Sequence, residues 1–161
     1  RMQKKALIFI ILLSISLVSG DTQIKLLKIE AQVSPYRIKQ GKDGLLKLKI
    51  EPIPAIKIAS HPELRIKLEE NKDIQCNKYF FNSSELGFKT IKEEDTIFLE
   101  IQDKEIPITF KLKENALLGT RRIHGEVIFT AVFKDNWSLK TYQKFTAYFE
   151  SRKNSQLNKN F

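Results

Sequence analysis

Group transfer in proteins is usually carried by thiol, imidazole and carboxylate side chains, and this chain of 161 residues has one cysteine, Cys76, two histidines, His61 and His124, and 19 acidic residues. A single thiol cannot form an intramolecular bridge. Three readings of Cys76 stay open: a buried small hydrophobe, one half of an intermolecular disulfide, or a reactive thiol. The first comes foremost, because free cysteine is among the most buried residue types. Its context Ile74-Gln75-Cys76-Asn77 alternates apolar and polar, which suits the inward face of a strand. The histidines show no HxH or HExxH spacing and there is no CxxC, so local motifs assemble no closed zinc site. No cofactor and no metal are expected. A nucleophile elbow of the GxSxG type and a phosphate-cradling glycine loop are both missing from the sequence. Carboxylates cluster at Glu69-Glu70 and Glu93-Glu94-Asp95, within lysine-rich turns that read as solvated loops. Acid–base catalysis needs a carboxyl in a pocket that shifts its pKa, and these turns predict none. Arg121-Arg122 could hold an anion but reads first as exposed charge ahead of a strand. No catalytic residue is therefore assigned.

The elements that must position these residues begin after an export segment. Arg1, Lys4 and Lys5 form a basic n-region, residues 6–13 are an apolar stretch, and Val18-Ser19-Gly20 offers the small residues signal peptidase requires. The unbroken apolar core falls short of the about 20 residues that span a bilayer. Cleavage near Gly20 is thus expected, rather than retention as a membrane anchor, with the mature chain periplasmic or secreted. Residues 21–161 are enough for one domain. They hold all 19 acidic and 25 of the 28 basic residues, a net charge of +6. The basic residues are 22 Lys and 6 Arg; readers of nucleic acid rely on Arg for bidentate contacts, so this bias, with export, argues against a nucleic-acid partner.

The mature sequence reads as strand after strand. Residues 44–51 set Leu46, Leu48 and Ile50 against Lys47, Lys49 and Glu51, and residues 64–69 repeat the pattern. Period two marks a half-buried antiparallel strand. Further runs occur at 24–33, 96–101, 106–113, 126–133 and 139–149, separated by polar turn clusters at the spacing of an antiparallel β-sandwich. In the last run Leu139, Thr141, Gln143, Phe145, Ala147 and Phe149 share one face, while Lys140, Tyr142, Lys144, Thr146 and Tyr148 share the other. The tail from 151 to 161 lacks periodicity and is expected to be loose. Residues 78–94 are irregular and carry Tyr79, Phe80, Phe81 and Phe88. Such a cluster either plugs the open end of a sandwich or contacts a partner. With Trp137, these four are the candidate binding residues.

The hairpin near the C-terminus runs Phe129-Thr130-Ala131-Val132, a turn Phe133-Lys134-Asp135-Asn136, then Trp137-Ser138-Leu139. This frame resembles the redox hairpin of the N-terminal periplasmic domain of DsbD-type thiol:disulfide interchange proteins, in which a strand ends in aromatic-polar-small-Cys and a short turn leads to a second Cys and then prolines. Residues 36–75, with the connection Ile56-Lys57-Ile58-Ala59-Ser60-His61-Pro62, and the stretch from Gly119-Thr120 to Glu126-Val127 also look like that family. The resemblance covers residues 32–150 in short, permissive motifs. It implies an immunoglobulin-like β-sandwich in the periplasm; members with cysteines pass reducing equivalents from a membrane transporter to periplasmic partners through mixed disulfides.

None of that chemistry carries over, because Val132 and Trp137 stand where the resemblance puts the thiols and Ser138-Leu139-Lys140 replaces the prolines. Disulfide exchange needs a thiolate nucleophile, which neither an isopropyl group nor an indole supplies. The expectation is an exported, non-catalytic sandwich over residues 21–150 that binds a protein partner in the periplasm, such as a membrane transporter or redox protein. Two alternatives remain: a redox protein acting through Cys76 and a partner's cysteine, and a binder of anionic surface glycan or lipid through the Lys/Tyr strand face. If Val132 and Trp137 mark a former disulfide, they should face each other across the hairpin.

Overall fold

The computed structural model describes residues 25–157, so the segment expected to direct export and the last four residues of the tail lie outside the described residues. All regular structure among the described residues is strand. The strands are β1 (Leu27–Ser34), β2 (Arg37–Lys39), β3 (Asp43–Pro52), β4 (Ile56–Ile58), β5 (Arg65–Leu68) and β6 (Ile74–Gln75). They continue with β7 (Phe80–Asn82), β8 (Lys89–Glu93), β9 (Thr96–Glu100), β10 (Glu105–Leu112), β11 (Gly119–Phe133) and β12 (Ser138–Arg152).

Two sheets face each other. One has the order β1-β3-β10-β6, the other β2-β12-β11-β5-β7 with β4 also on β11. Strands β1, β3, β10 and β6 take the A, B, E and D places of an immunoglobulin-type sandwich, and β5, β11 and β12 take C, F and G. The C place is split: β4 pairs with residues 131–133 of β11, β5 pairs with residues 125–128, and a bend through His61-Pro62 separates them.

Alternation builds the core. In β10 the sequence EIPITFKL buries Ile106, Ile108, Phe110 and Leu112 and exposes the residues between them. β3 does the same with Leu46, Leu48 and Ile50, and the second half of β12 with Phe145, Ala147 and Phe149. Each sheet also sets a glycine opposite a phenylalanine, Gly44 against Phe110 and Gly125 against Phe145. A Cβ at Gly44 would sit 2.6 Å from the Phe110 ring, and one at Gly125 2.4 Å from the Phe145 ring and 2.9 Å from the Lys67 carbonyl oxygen. The rings lie over the bare backbone and fill the space a side chain would take.

Two polar contacts tie distant segments together. The Gln143 side chain bonds both backbone groups of Leu27, accepting from its N–H at 3.0 Å and donating to its carbonyl, and so links β1 to β12 where no ladder joins them. Asp73, 2% exposed, accepts from Arg121 Nε at 2.8 Å and Nη2 at 2.5 Å and from the Leu117 N–H at 3.0 Å. Arg121, expected as exposed charge, is thus half of a largely buried ion pair 48 residues apart in sequence.

Regular structure also outlasts Glu150, where the sequence pattern ends. β12 continues to Arg152 because β2 pairs with it in parallel over residues 150–152. Ser151 and Asn154 are buried, and the Asn154 amide donates to the Gln40 carbonyl at 3.1 Å. Backbone pairing holds this segment, and it leaves no apolar period to read.

Candidate functional site

The β11–β12 hairpin is tighter than its sequence suggests. Only Lys134, Asp135 and Asn136 form the loop: the Asn136 N–H donates to the Phe133 carbonyl at 2.9 Å, and the Phe133 N–H donates to the Trp137 carbonyl at 3.0 Å. Asn136 closes it at φ 66°, a left-handed conformation that asparagine tolerates and that three-residue hairpin loops require. The register then places Val132 opposite Ser138, and Trp137 across from Phe133. Neighbouring strand residues point to opposite faces, so Val132 and Trp137 do not face each other. The expectation of a former disulfide pair at these two positions is corrected by one residue of register.

What the hairpin presents is an aromatic pair. The Phe133 and Trp137 rings stack with centroids 4.1 Å apart and planes 2° from parallel, and Trp137 is 49% exposed. Beside them a groove of about 300 Å³ is lined by Ile56, Lys57, Thr96, Phe98, Val132 and Phe133 among others. Its far wall is the β8–β9 hairpin. That hairpin docks on the end of β4 through an Ala59–Phe98 bridge, a 3.0 Å bond from the Ser60 N–H to the Ile97 carbonyl, and the Lys57–Glu93 ion pair. Lys57 also lies 5.2 Å from the Phe98 ring centre.

The other candidate aromatics sit elsewhere. β7 pairs with β5, which meets β11 at residues 125–128 rather than at the hairpin tip. Phe88 is buried, and Tyr79 and Phe81 pack against the core. Tyr79 Oη accepts the Cys76 N–H at 3.2 Å. Phe80 alone of the four is exposed, with the Arg65 guanidinium 5.6 Å from its ring centre. The segment covers the core beside β5 and leaves Trp137 without those aromatics as neighbours.

Cys76 is 8% exposed, and burial pushes its thiol pKa up. A raised pKa leaves less thiolate at neutral pH, and burial bars a partner's disulfide from approaching the sulfur. Both argue against the reading of Cys76 as a redox-active thiol and favour its reading as a buried small hydrophobe. The histidines are not brought together either: His61 hydrogen-bonds Ser60 Oγ at 3.1 Å, and His124, on β11, hydrogen-bonds Thr146 Oγ1 at 2.9 Å. Among the described residues no three His, Cys, Asp or Glu side chains gather as a metal site would need.

Sequence reasoning found β9 but missed β8, its partner in the wall of the groove. Lys89–Glu93 reads as a charged loop because all five residues of β8 are exposed, so neither face carries a buried period.

The strand order and the two packed sheets define an all-β, immunoglobulin-like β-sandwich domain. No protein-family model matches the sequence, and no curated protein does. Solved structures with some likeness include the cohesin module of a family 33 glycoside hydrolase from Clostridium perfringens, with a TM-score of 0.45, 13% identity, and 80% of this chain and 98% of that one covered. The collagen-binding subdomain of the Enterococcus faecalis surface protein ACE gives a TM-score of 0.36 and 10% identity, covering 78% and 96%. BcpA, the major pilin subunit of Bacillus cereus, gives 0.35 and 10%, covering 76% of this chain and 40% of that chain.

Proposed function

We propose that this chain is an exported, non-catalytic β-sandwich that works by binding another protein of the cell envelope, and that it docks through the end of the β11–β12 hairpin. The observation that carries this reading is the half-exposed Trp137, held flat against Phe133 beside a preformed groove. A stacked indole has already lost its rotamer freedom, so docking costs little further ordering. Tryptophan is also the residue type most often found to dominate an interface.

The sequence resemblance to the DsbD N-terminal domain supports the reading: the residues around the hairpin look like that family's redox hairpin without its thiols, and what a thiol-free version would keep is a docking surface. A membrane transporter or a periplasmic redox protein is then the partner class to look for. Its contact surface should present an apolar or cationic group to the indole face, since cations are attracted to the ring.

A photo-crosslinking amino acid at position 137, in cells that make the protein, should join it to one specific envelope protein. The same probe at Asn115, at the other end of the sandwich, should not. With that partner purified, Trp137→Ala should weaken binding by about thirtyfold or more, the effect of losing a residue worth about 2 kcal/mol. Crosslinking from position 115 but not 137, or unchanged affinity in Trp137→Ala, would place the docking surface elsewhere.

A further inference from the structure

The outward face of the larger sheet, well away from the hairpin tip, has a site of its own. Between β5, β11 and β12 lies a depression of about 470 Å³, floored by Gly125 and Phe145 and walled by Lys67, His124, Lys144 and Thr146, with Glu126 between the two lysines in the register and Glu69 also in the lining. Strand β12 continues the same face with exposed Tyr142 and Tyr148, one on each side of Lys144 and Thr146. Arg122 stands across the ladder from Tyr148, and Lys140 lies two residues before Tyr142.

Three observations point to a ligand. First, among the described residues Lys67, Arg122, Lys140 and Lys144 have no carboxylate within ion-pair distance, although Glu126 is the register partner of both Lys67 and Lys144. Second, the depression mixes Lys67 and Lys144 with carboxylate, hydroxyl and imidazole groups, and Arg122 and Lys140 flank it on the same face, so the site can both neutralise an anion and hydrogen-bond hydroxyls. Third, the two exposed tyrosine rings are six residues apart on one strand, about 20 Å at 3.3–3.4 Å per residue. They bracket the depression as flat, amphipathic platforms.

We infer that this face binds an acidic oligosaccharide, a chain of sugar rings bearing carboxylate or sulfate groups, with its charges met by Lys67, Arg122, Lys140 and Lys144, its hydroxyls by Glu126 and the other polar groups of the depression, and flanking rings resting on Tyr142 and Tyr148. A peptide adding a strand would pair along the outer edge of β12, which carries β2 only at residues 150–152, and would leave the depression between β12, β11 and β5 unfilled. A flat lipid surface would leave the depression empty and the polar groups that line it without partners. A hydroxyl-rich anion uses both the cations and the acceptors. The inference stands independently of the hairpin-tip reading, because it uses none of the same residues.

The test takes the mature protein and four probes in low and high salt: a heparin-derived octasaccharide, a neutral dextran of similar length, poly-glutamate, and mixed phosphatidylserine–phosphatidylcholine vesicles. The expected result is binding to the octasaccharide and not to dextran, weakening by tenfold or more at high salt as the charges are screened. Lys67→Glu with Lys144→Glu should lower affinity at least tenfold. Tyr142→Ala should lower it severalfold, while Lys49→Glu on the opposite sheet changes it little and circular dichroism shows every variant folded. The inference is overturned by equal or tighter binding to poly-glutamate or vesicles, by salt-independent binding, by no binding to the octasaccharide, or by an effect of Lys49→Glu as large as that of the double variant.

Discussion

Arg121→Ala is expected to lower the unfolding free energy by about 3–5 kcal/mol, the usual effect of leaving one partner of a buried ion pair unpaired. The Asp73 side chain is 3% exposed and that of Arg121 26%, so the alanine variant leaves a carboxylate that water barely reaches. For a domain of this size the loss corresponds to a fall in midpoint temperature of about 10–20 °C. Urea denaturation should show a lower midpoint at nearly unchanged slope, as expected for a stability change without a change in exposed surface. Arg121→Lys should recover only part of the loss, since a single ammonium cannot reproduce the two donations from Nε and Nη2 to Asp73 Oδ2. Removing both partners should cost less than the sum of the single changes, because the double variant buries no unpaired charge. A loss below about 1 kcal/mol would mean that the pair is solvated in solution.

Phe149→Ala should destabilise by a similar amount, about 3–5 kcal/mol. Phe149 is fully buried, and its ring meets Phe110 of the opposite sheet with centroids 5.6 Å apart and planes inclined at 47°. Truncation therefore opens a cavity between the two sheets rather than at one edge, where neighbours have little freedom to collapse into it. Phe149→Leu, which keeps most of the volume, should lose far less. The neighbouring Tyr148, on the outward face and 52% exposed, provides the internal control: Tyr148→Ala should stay within about 0.5 kcal/mol of the parent. Thermal unfolding of the three variants side by side would check the alternation along β12 directly.

Those two residues show what the sequence makes legible. Phe149 lies on the inward face that the period of two assigns to it, and the same pattern anticipates β1, β3, β5, β9, β10, β11 and β12, with ends displaced by up to three residues except at the start of β11, which lies seven residues earlier. Alternation is a local signal, and burial on one face is what it reports. Strands β2, β4, β6 and β7 have two or three residues each, too few to show a period. They exist because a longer strand already offers an edge to pair with. Arg121 illustrates the second limit: its partner lies 48 residues away on a turn, so the pair Arg121-Arg122 looks like surface charge until the fold brings Asp73 beneath it.

The hairpin shows the third. Four turn residues, Phe133 to Asn136, would put Val132 across from Trp137, whereas three put Phe133 there. The choice rests on the left-handed conformation of Asn136, and a slip of one residue sends every side chain to the other face. Of the candidate binding residues, Trp137 and Phe80 are exposed, and Tyr79, Phe81 and Phe88 serve the core. Hydrophobic clusters in loops give the same sequence signal in either role.

The central claim of the proposed function is that the domain works without thiol chemistry. Its most direct test is the rate of thiol–disulfide exchange between the reduced mature domain and a small disulfide such as oxidised glutathione or a dithiobis-nitrobenzoate reagent, measured beside Cys76→Ser. The buried thiol with its raised pKa predicts that the folded parent reacts no faster than the serine variant, and that Cys76 becomes reactive only on unfolding. Rapid, Cys76-dependent exchange by the folded domain at neutral pH would contradict the account and return the protein to redox chemistry.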